Sequence, residues 1–246
     1  MSDDIINIVI PARYQSERFP GKILHPVAGK PLLKWVYEEA SRVKNASVIV
    51  LPDNKRVADY LEKEHIPFIM TSESCSSGTE RIASVINKLK GRIIINLQAD
   101  EPLITKQILE TLIEFMEHNP DFPIATLASR EYDLSVVESP HRVKVVLDSK
   151  NKALYFSRAL IPFPRANPDY YLVHVGLYGY RREFLEKFGE LLSGPLEKSE
   201  KLEQLQFLYN GYSIGVAVGS FDLHGVDVPE DVAIVEKKMR ELKRYD

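Results

Sequence analysis

The sequence predicts an α/β fold, a three-layer α/β/α, Rossmann-like arrangement around a mostly parallel sheet, with a lobe inserted in its second half. Three observations carry this. Short apolar runs such as Ile5–Ile10 (IINIVI), Ser47–Leu51 (SVIVL) and Arg92–Leu97 (RIIINL) have the length and β-branched content of buried strands. Segments with apolar residues at helical spacing alternate with them, and strand–helix alternation implies right-handed βαβ crossovers and a parallel sheet. The chain has 246 residues, 44% hydrophobic and 27% charged, which suits one α/β domain of ordinary globular composition.

Element by element, Ile5–Ile10 is the first strand, stopped by Pro11. Pro31–Val43 is a helix with Leu32, Leu33, Trp35, Val36 and Ala40 near one face. Ser47–Leu51 is the second strand, Arg56–Glu64 a helix and Pro67–Met70 a third strand. Thr79–Leu89 is helical, Arg92–Leu97 is a buried strand, and Thr105–His118 is helical again. In the second half, Val143–Leu147 and Ala153–Phe156 are strands around a turn at 149–151, and Leu172–Tyr180 is extended. Ala166–Tyr171 reads as a mobile loop. Helices are expected over Arg182–Leu192 and Leu196–Asn210, a strand over Ile214–Val218, and a closing amphipathic helix over Asp231–Arg244. No composition break, linker or repeat divides the chain. The expected organisation is one domain, 1–246, with a lobe at about 121–180.

Several function classes are excluded by bulk properties. The net charge of −3 gives no global basic field for nucleic acid or anionic lipid. The single Cys75 leaves no intramolecular disulfide and no multi-cysteine zinc site. No apolar run is long enough to span a bilayer. Acids precede the first apolar run, unlike a secretory signal, so a cytoplasmic protein is expected.

Ligands of open parallel sheets bind outside the carboxyl ends of the strands. That rule puts Pro11–Lys22, Asp53 and Gln98–Pro102 on one rim, because each follows a strand. The first of these, PARYQSERFPGK, holds Arg13, Arg18 and Lys22. Arginine grips phosphate oxygens in pairs, lysine acts as a mobile point charge, and Gly21 allows close backbone approach. Basic loops alone are more often merely solvated; the position on the rim favours an anion site. Neither G-x-x-x-x-G-K-[ST] nor G-x-G-x-x-G is present. Ser77-Gly78-Thr79 precedes a helix, whose free N–H groups suit an anion, although Thr79 equally suits a plain N-cap with Arg81 in solvent. Asp100 follows a buried strand and Asp227 lies in a turn, where each alone would be unremarkable.

IPARYQSERFPGK resembles the N-terminal signature of the sugar-acid cytidylyltransferases, most similar to the 3-deoxy-manno-octulosonate (Kdo) branch. Further blocks follow in the family's order: SGTER at 77–81, QADEP at 98–102, VKVVLD at 143–148 and YFSR at 155–158. GLYGYR at 176–181, LEQL at 202–205 and GVDVPED at 225–231 complete the set. Together they span nearly the whole chain. The resemblance implies a nucleotidyltransferase fold. It implies Mg²⁺-dependent transfer of CMP from CTP to the anomeric hydroxyl of an acidic 2-keto-3-deoxy sugar, Kdo, with pyrophosphate released, in lipopolysaccharide biosynthesis. An 8-amino-Kdo or nine-carbon acceptor, or a nucleotide-binding module without turnover, are the alternatives. Pro11, Ala12, Arg13, Arg18, Lys22, Ser77, Gly78, Arg81 and Gln98 would hold the nucleotide, and Asp100 and Asp227 the metal. Gln98, Arg158, His174, Tyr178, Glu203 and Gln204 would hold the sugar. Arg13, Lys22, Asp100 and Asp227 would carry the catalysis. A homodimer formed through the lobe is also implied. Ala99 stands where the family usually has Gly, and Cys75 where it commonly has His.

Overall fold

The computed structural model describes residues 6–166 and 168–242. Ile5, Asn167, Lys243 and Arg244, which fall in predicted elements or the predicted loop, lie outside the described residues. The chain forms two compact units, one comprising the chain up to Glu110 and from Asp222 onward, the other Thr111–Phe221.

In the first unit, β1 (Ile6–Ala12) is buried along its whole length. A small antiparallel ribbon, β2 (Pro26–Val27) and β3 (Lys30–Pro31), leads into α1 (Leu32–Ala40). Strand β4 (Ala46–Pro52), α2 (Lys55–Lys63), α3 (Gly78–Ala83) and β5 (Ile93–Asn96) follow. β1 lies between β4 and β5 and is parallel to both, with Ile8 opposite Val48 and Ile95. This is the expected βαβ pattern, and burial on both faces explains why β1 reads as continuous Ile and Val. Its one polar residue, Asn7, is buried but satisfied, since its Oδ1 accepts the N–H groups of Lys90 and Gly91. Asn54 caps α2 through the Arg56 N–H. α3 opens on a reciprocal cap: Ser77 Oγ accepts the Glu80 N–H, and the Glu80 carboxylate accepts from the backbone and hydroxyl of Ser76.

Two predicted elements differ here. Pro67–Met70 is not a strand; Phe68 makes a single bridge to Val50. The predicted helix over Thr79–Leu89 ends at Ala83 and resumes as a 3₁₀ turn at Ile86–Lys88. Ser84 turns its hydroxyl back onto Arg81 O at 2.7 Å, and Val85 leaves helical geometry at φ −119°, ψ 12°.

Helix α4 (Lys106–His118) is followed in the second unit by β6 (Ile124–Glu131), α5 (Leu134–Val137), β7 (Lys144–Leu147), β8 (Ala153–Ser157) and β9 (Tyr171–Arg181). Then come α6 (Arg182–Glu186), α7 (Pro195–Glu200), α8 (Gln204–Tyr209) and β10 (Ile214–Gly219). β6 runs parallel to β10 and antiparallel to β9, while β7 pairs with β8 and touches β9. β6 is absent from the sequence reading because Ala125, Ala128 and Ser129 dilute its β-branched content. The helix expected over Leu196–Asn210 is broken at Lys201, which adopts a left-handed conformation at φ 54°. The one expected over Arg182–Leu192 stops at Glu186 and gives way to a 3₁₀ turn, Phe188–Glu190. The chain closes in the first unit with α9 (Asp231–Glu241), whose Val235 and Met239 pack with Val27, Leu32, Trp35 and Leu103.

The second unit encloses two buried polar centres. Lys144 is fully buried, and its ammonium donates to the carbonyls of Ser139, Arg142 and Arg158 at 3.1, 2.5 and 2.6 Å. Burial lowers its pKa. The other centre forms around a β-bulge between Thr126 and Leu127, where β6 and β9 lose register. Thr126 Oγ1 sits 3.0 Å from Val175 O, 2.8 Å from Leu177 O and 3.0 Å from His174 Nε2. The hydroxyl has one proton for its carbonyl partners, so we assign the imidazole proton to Nε2, which leaves Nδ1 as an acceptor. Among the described residues, no helix is long and apolar enough to cross a membrane.

Burial pushes the His174 pKa down from 6.5 to about 3. Below about pH 6.5 the unfolded chain therefore binds a proton that the folded chain refuses until about pH 3, and stability falls as pH drops through that window. Thermal melts between about pH 7 and pH 4.5 are expected to show this fall, and His174→Gln is expected to flatten it. An unchanged slope in His174→Gln would contradict the assignment.

Candidate active site

The site in the first unit starts where β1 ends. The chain leaves Ala12 into an arm closed by a backbone bond from Gly21 N–H to Tyr14 O at 2.9 Å. Gly21 takes φ 72°, and a Cβ there would come within 3.3 Å of the Tyr14 hydroxyl, so the closure requires glycine. Lys22 follows at the start of a 3₁₀ turn, Lys22–Leu24, with its side chain only 11% exposed.

The Lys22 ammonium has three partners: Asp100 Oδ2 at 2.5 Å, Val226 O at 2.8 Å and Asp227 Oδ1 at 3.3 Å. Asp100 comes from the turn after β5, and Asp227 from the segment before α9. Two contacts bring those distant segments together. Val226 N–H donates to Asp100 O at 2.9 Å. Gly225 lies so close that a Cβ would sit 3.3 Å from the same oxygen. Asp231 then fixes the turn, since its Oδ2 accepts the N–H groups of Asp227 and Val228 at 2.7 and 3.0 Å. Burial works to raise the Asp231 pKa, but those N–H groups and His224 outweigh it and hold the carboxyl below its usual range. Arg18 Nη2 adds a more exposed ion pair with Asp227 at 3.1 Å.

A cavity of about 490 Å³ opens beside this cluster, lined among others by Pro11, Arg13, Arg18, Lys22, Gly78, Gln98 and Asp100. Ala99 also lines it, and its methyl group is buried. Arginine, lysine and carboxylate thus share one polar concavity, which suits a polyanion carried with a cation. Among the described residues, no group of three or more His, Cys, Asp or Glu side chains could hold a metal. Two carboxylates that already converge on one positive charge do fit Mg²⁺, which is held by one or two carboxylates plus substrate phosphates and water.

Other expected nucleotide residues stand back from the cavity. Ala12 is fully buried, and Ser77 is the N-cap of α3, the role the sequence allowed to Thr79. Arg81 is neither in solvent nor at a ligand: it is fully buried, bonded to Asp53 Oδ2 at 3.1 Å, Thr71 Oγ1 at 2.6 Å and Ser72 O at 3.0 Å. Arg81 is not among the residues that line the cavity. Cys75, in the place of the family's histidine, is buried. Sequence reasoning missed Asp231 and gave Asp53 no role beyond the rim. The D-V-P-E-D spacing, a turn followed by a helix-start acid, was the signal for Asp231.

Within the second unit, His174 and Tyr178 of β9 lie together, with ring centroids 5.3 Å apart. Burial, then Tyr180 and Glu203, push the Tyr178 pKa well above its ordinary value, so its hydroxyl stays protonated. Glu203 is half-buried and the adjacent Gln204 is buried. Arg158 departs from the expectation of a free carboxylate fork. Its guanidinium donates to Glu200 O at 2.8 Å, Pro140 O at 3.0 Å and Lys201 O at 3.5 Å, and the Glu200 carboxylate accepts its backbone N–H.

The family model for cytidylyltransferases matches residues 7–214. The 8-amino-3,8-dideoxy-manno-octulosonate cytidylyltransferases of Shewanella pealeana and Shewanella sediminis are each 42% identical over 240 residues, 95% of this chain and 98% of theirs. A solved CMP:2-keto-3-deoxy-manno-octonic acid synthetase complexed with CTP aligns with a TM-score of 0.92 at 39% identity, over 96% of this chain and 98% of that one. A 4-diphosphocytidyl-2C-methyl-D-erythritol synthase from Anaerococcus prevotii, 14% identical with a TM-score of 0.66, shares the fold alone. With an α/β nucleotidyltransferase fold and relatives matched along nearly their whole length, the chain belongs to the cytidylyltransferase family.

Proposed function

We propose that the protein transfers CMP from CTP to the anomeric hydroxyl of a 3-deoxy-manno-octulosonic acid, releasing pyrophosphate, as a cytoplasmic step toward lipopolysaccharide. The observation that carries this reading is the Lys22–Asp100–Asp227 cluster beside an arginine-lined cavity, in a chain 39% identical to a synthetase complexed with CTP. The acceptor is Kdo in the first reading. The 8-amino acid is the second, favoured by the names of the 42%-identical relatives.

The sugar hydroxyl attacks the α-phosphorus and pyrophosphate departs, so catalysis rests on placement and charge compensation. Arg13, Arg18 and Lys22 offset the negative charge of the triphosphate, while Gly78 and Gln98 bound the cavity. Asp100 and Asp227 would hold Mg²⁺, which supplies charge neutralisation at the phosphates. His174, neutral at physiological pH, offers Nδ1 as an acceptor to a sugar hydroxyl, and Tyr178 offers a donor. Gln204 and Glu203 are proposed to bind the same sugar, and Arg158 to shape its surroundings through backbone bonds. We also propose a homodimer. The support for it is the family resemblance; the second unit also exposes Phe163, Tyr132 and Leu154, at 80, 72 and 58%.

Pyrophosphate release with CTP and Mg²⁺ should be measured against Kdo, 8-amino-Kdo and a nine-carbon acid. Turnover is expected with an octulosonate. CTP binding by calorimetry with no product from any acceptor would establish a binding module instead. Light scattering should give twice the 28.1 kDa chain mass; a monomer at all concentrations would refute the dimer.

A further inference from the structure

The ion pair between Asp53 and Arg81 makes no contact with the cavity, yet it is bonded to the arm that does. Asp53 follows β4 and is 8% exposed; Arg81 on α3 is 0% exposed. The carboxylate is divided between two tasks. Oδ2 accepts from Arg81 Nη2 at 3.1 Å, and Oδ1 accepts the Tyr14 N–H at 2.9 Å. Tyr14 lies next to Arg13, and its own carbonyl holds Gly21 N–H, next to Lys22. Arg81 is in turn fixed by Thr71 and Ser72. A continuous chain of bonds thus runs from a buried guanidinium, through one carboxylate, to both ends of the basic arm.

We propose that Asp53 is a positioning residue for the nucleotide site: locked by Arg81, it holds the backbone of Tyr14 and so sets where Arg13, Arg18 and Lys22 present their charge. The inference rests on the reading of this cavity as the CTP site. Without Asp53, the seven residues between Tyr14 and Lys22 would be held only by contacts of the arm itself, such as the backbone bonds Gly21 N–H to Tyr14 O and Lys22 N–H to Phe19 O. Small displacements of charged groups around a reacting phosphate are costly: about 1 Å can lower turnover roughly 100-fold.

Asp53→Asn leaves one oxygen to serve two donors, so either Tyr14 or Arg81 loses its partner. Asp53→Glu keeps both charges but moves the carboxylate by about one C–C bond, ~1.5 Å. Steady-state kinetics on both variants are expected to show kcat/KM for CTP reduced roughly 100-fold, with the KM for the sugar acid within about twofold of wild type. A purely structural residue would not split the two substrates in this way. Equal loss for both substrates, or CTP kinetics unchanged in a folded Asp53→Glu protein, would overturn the proposal. If Asp53→Asn does not fold, Asp53→Glu carries the test; failure of both to fold would also overturn it, in favour of a structural role. Wild-type protein assayed alongside separates the two claims, since a wild type inactive on CTP would sink the proposed function and not merely this assignment.

Discussion

A lysine ammonium held almost entirely out of water must be matched by negative charge, and Lys22 meets that demand with carboxylates from distant parts of the sequence. Removing the carboxylates would leave a nearly buried ammonium with only the Val226 carbonyl, and solvent reaches Asp227 enough that Asp100 is the stronger partner. The cluster therefore constrains the backbone around it. Gly21 must turn with positive φ to deliver Lys22, Gly225 must lack a side chain to let its segment reach Asp100, and Asp231 must hold the turn that presents Asp227. The exposed Arg18–Asp227 pair contributes little by comparison. Its guanidinium is correspondingly easy to redirect toward a phosphate.

The same arrangement explains how an acidic protein forms an anion site without a basic surface. At this cavity the positive charge comes from one arm, through Arg13, Arg18 and Lys22, and acids lie beside it at Asp100 and Asp227. In the proposed reaction a metal-bound triphosphate would bring both signs with it, with Asp100 and Asp227 as the residues to hold the cation. Lys22 bonds the same two carboxylates, so we propose that it and Mg²⁺ compete for them.

Much of this was legible in the sequence, for identifiable reasons. β1 and β5 are buried along their whole length and β4 over Val50–Pro52, so their sequences carry runs of Ile, Val and Leu, and the rim rule then locates Lys22 and Asp100. What escaped were features set by tertiary contacts. Nothing local marks Lys201 as the left-handed break between α7 and α8, and the small residues of β6 hide a central strand. Arg81 and Arg158 show the limit most clearly. Their motifs mark both arginines, but the partners they hold, Asp53 for Arg81 and the Glu200 carbonyl for Arg158, lie far off in the chain and are not readable locally. Asp53 was placed on the rim, while its division between Tyr14 and Arg81 required the structure.

The proposed competition of Lys22 with Mg²⁺ for Asp100 and Asp227 is tested most directly by titrating Mg²⁺, without nucleotide, into wild-type protein and Lys22→Ala and following the heat of binding. The account predicts tighter Mg²⁺ binding by the variant, by roughly tenfold for about 1.4 kcal/mol of removed competition. Equal or weaker binding by a folded Lys22→Ala protein would contradict it.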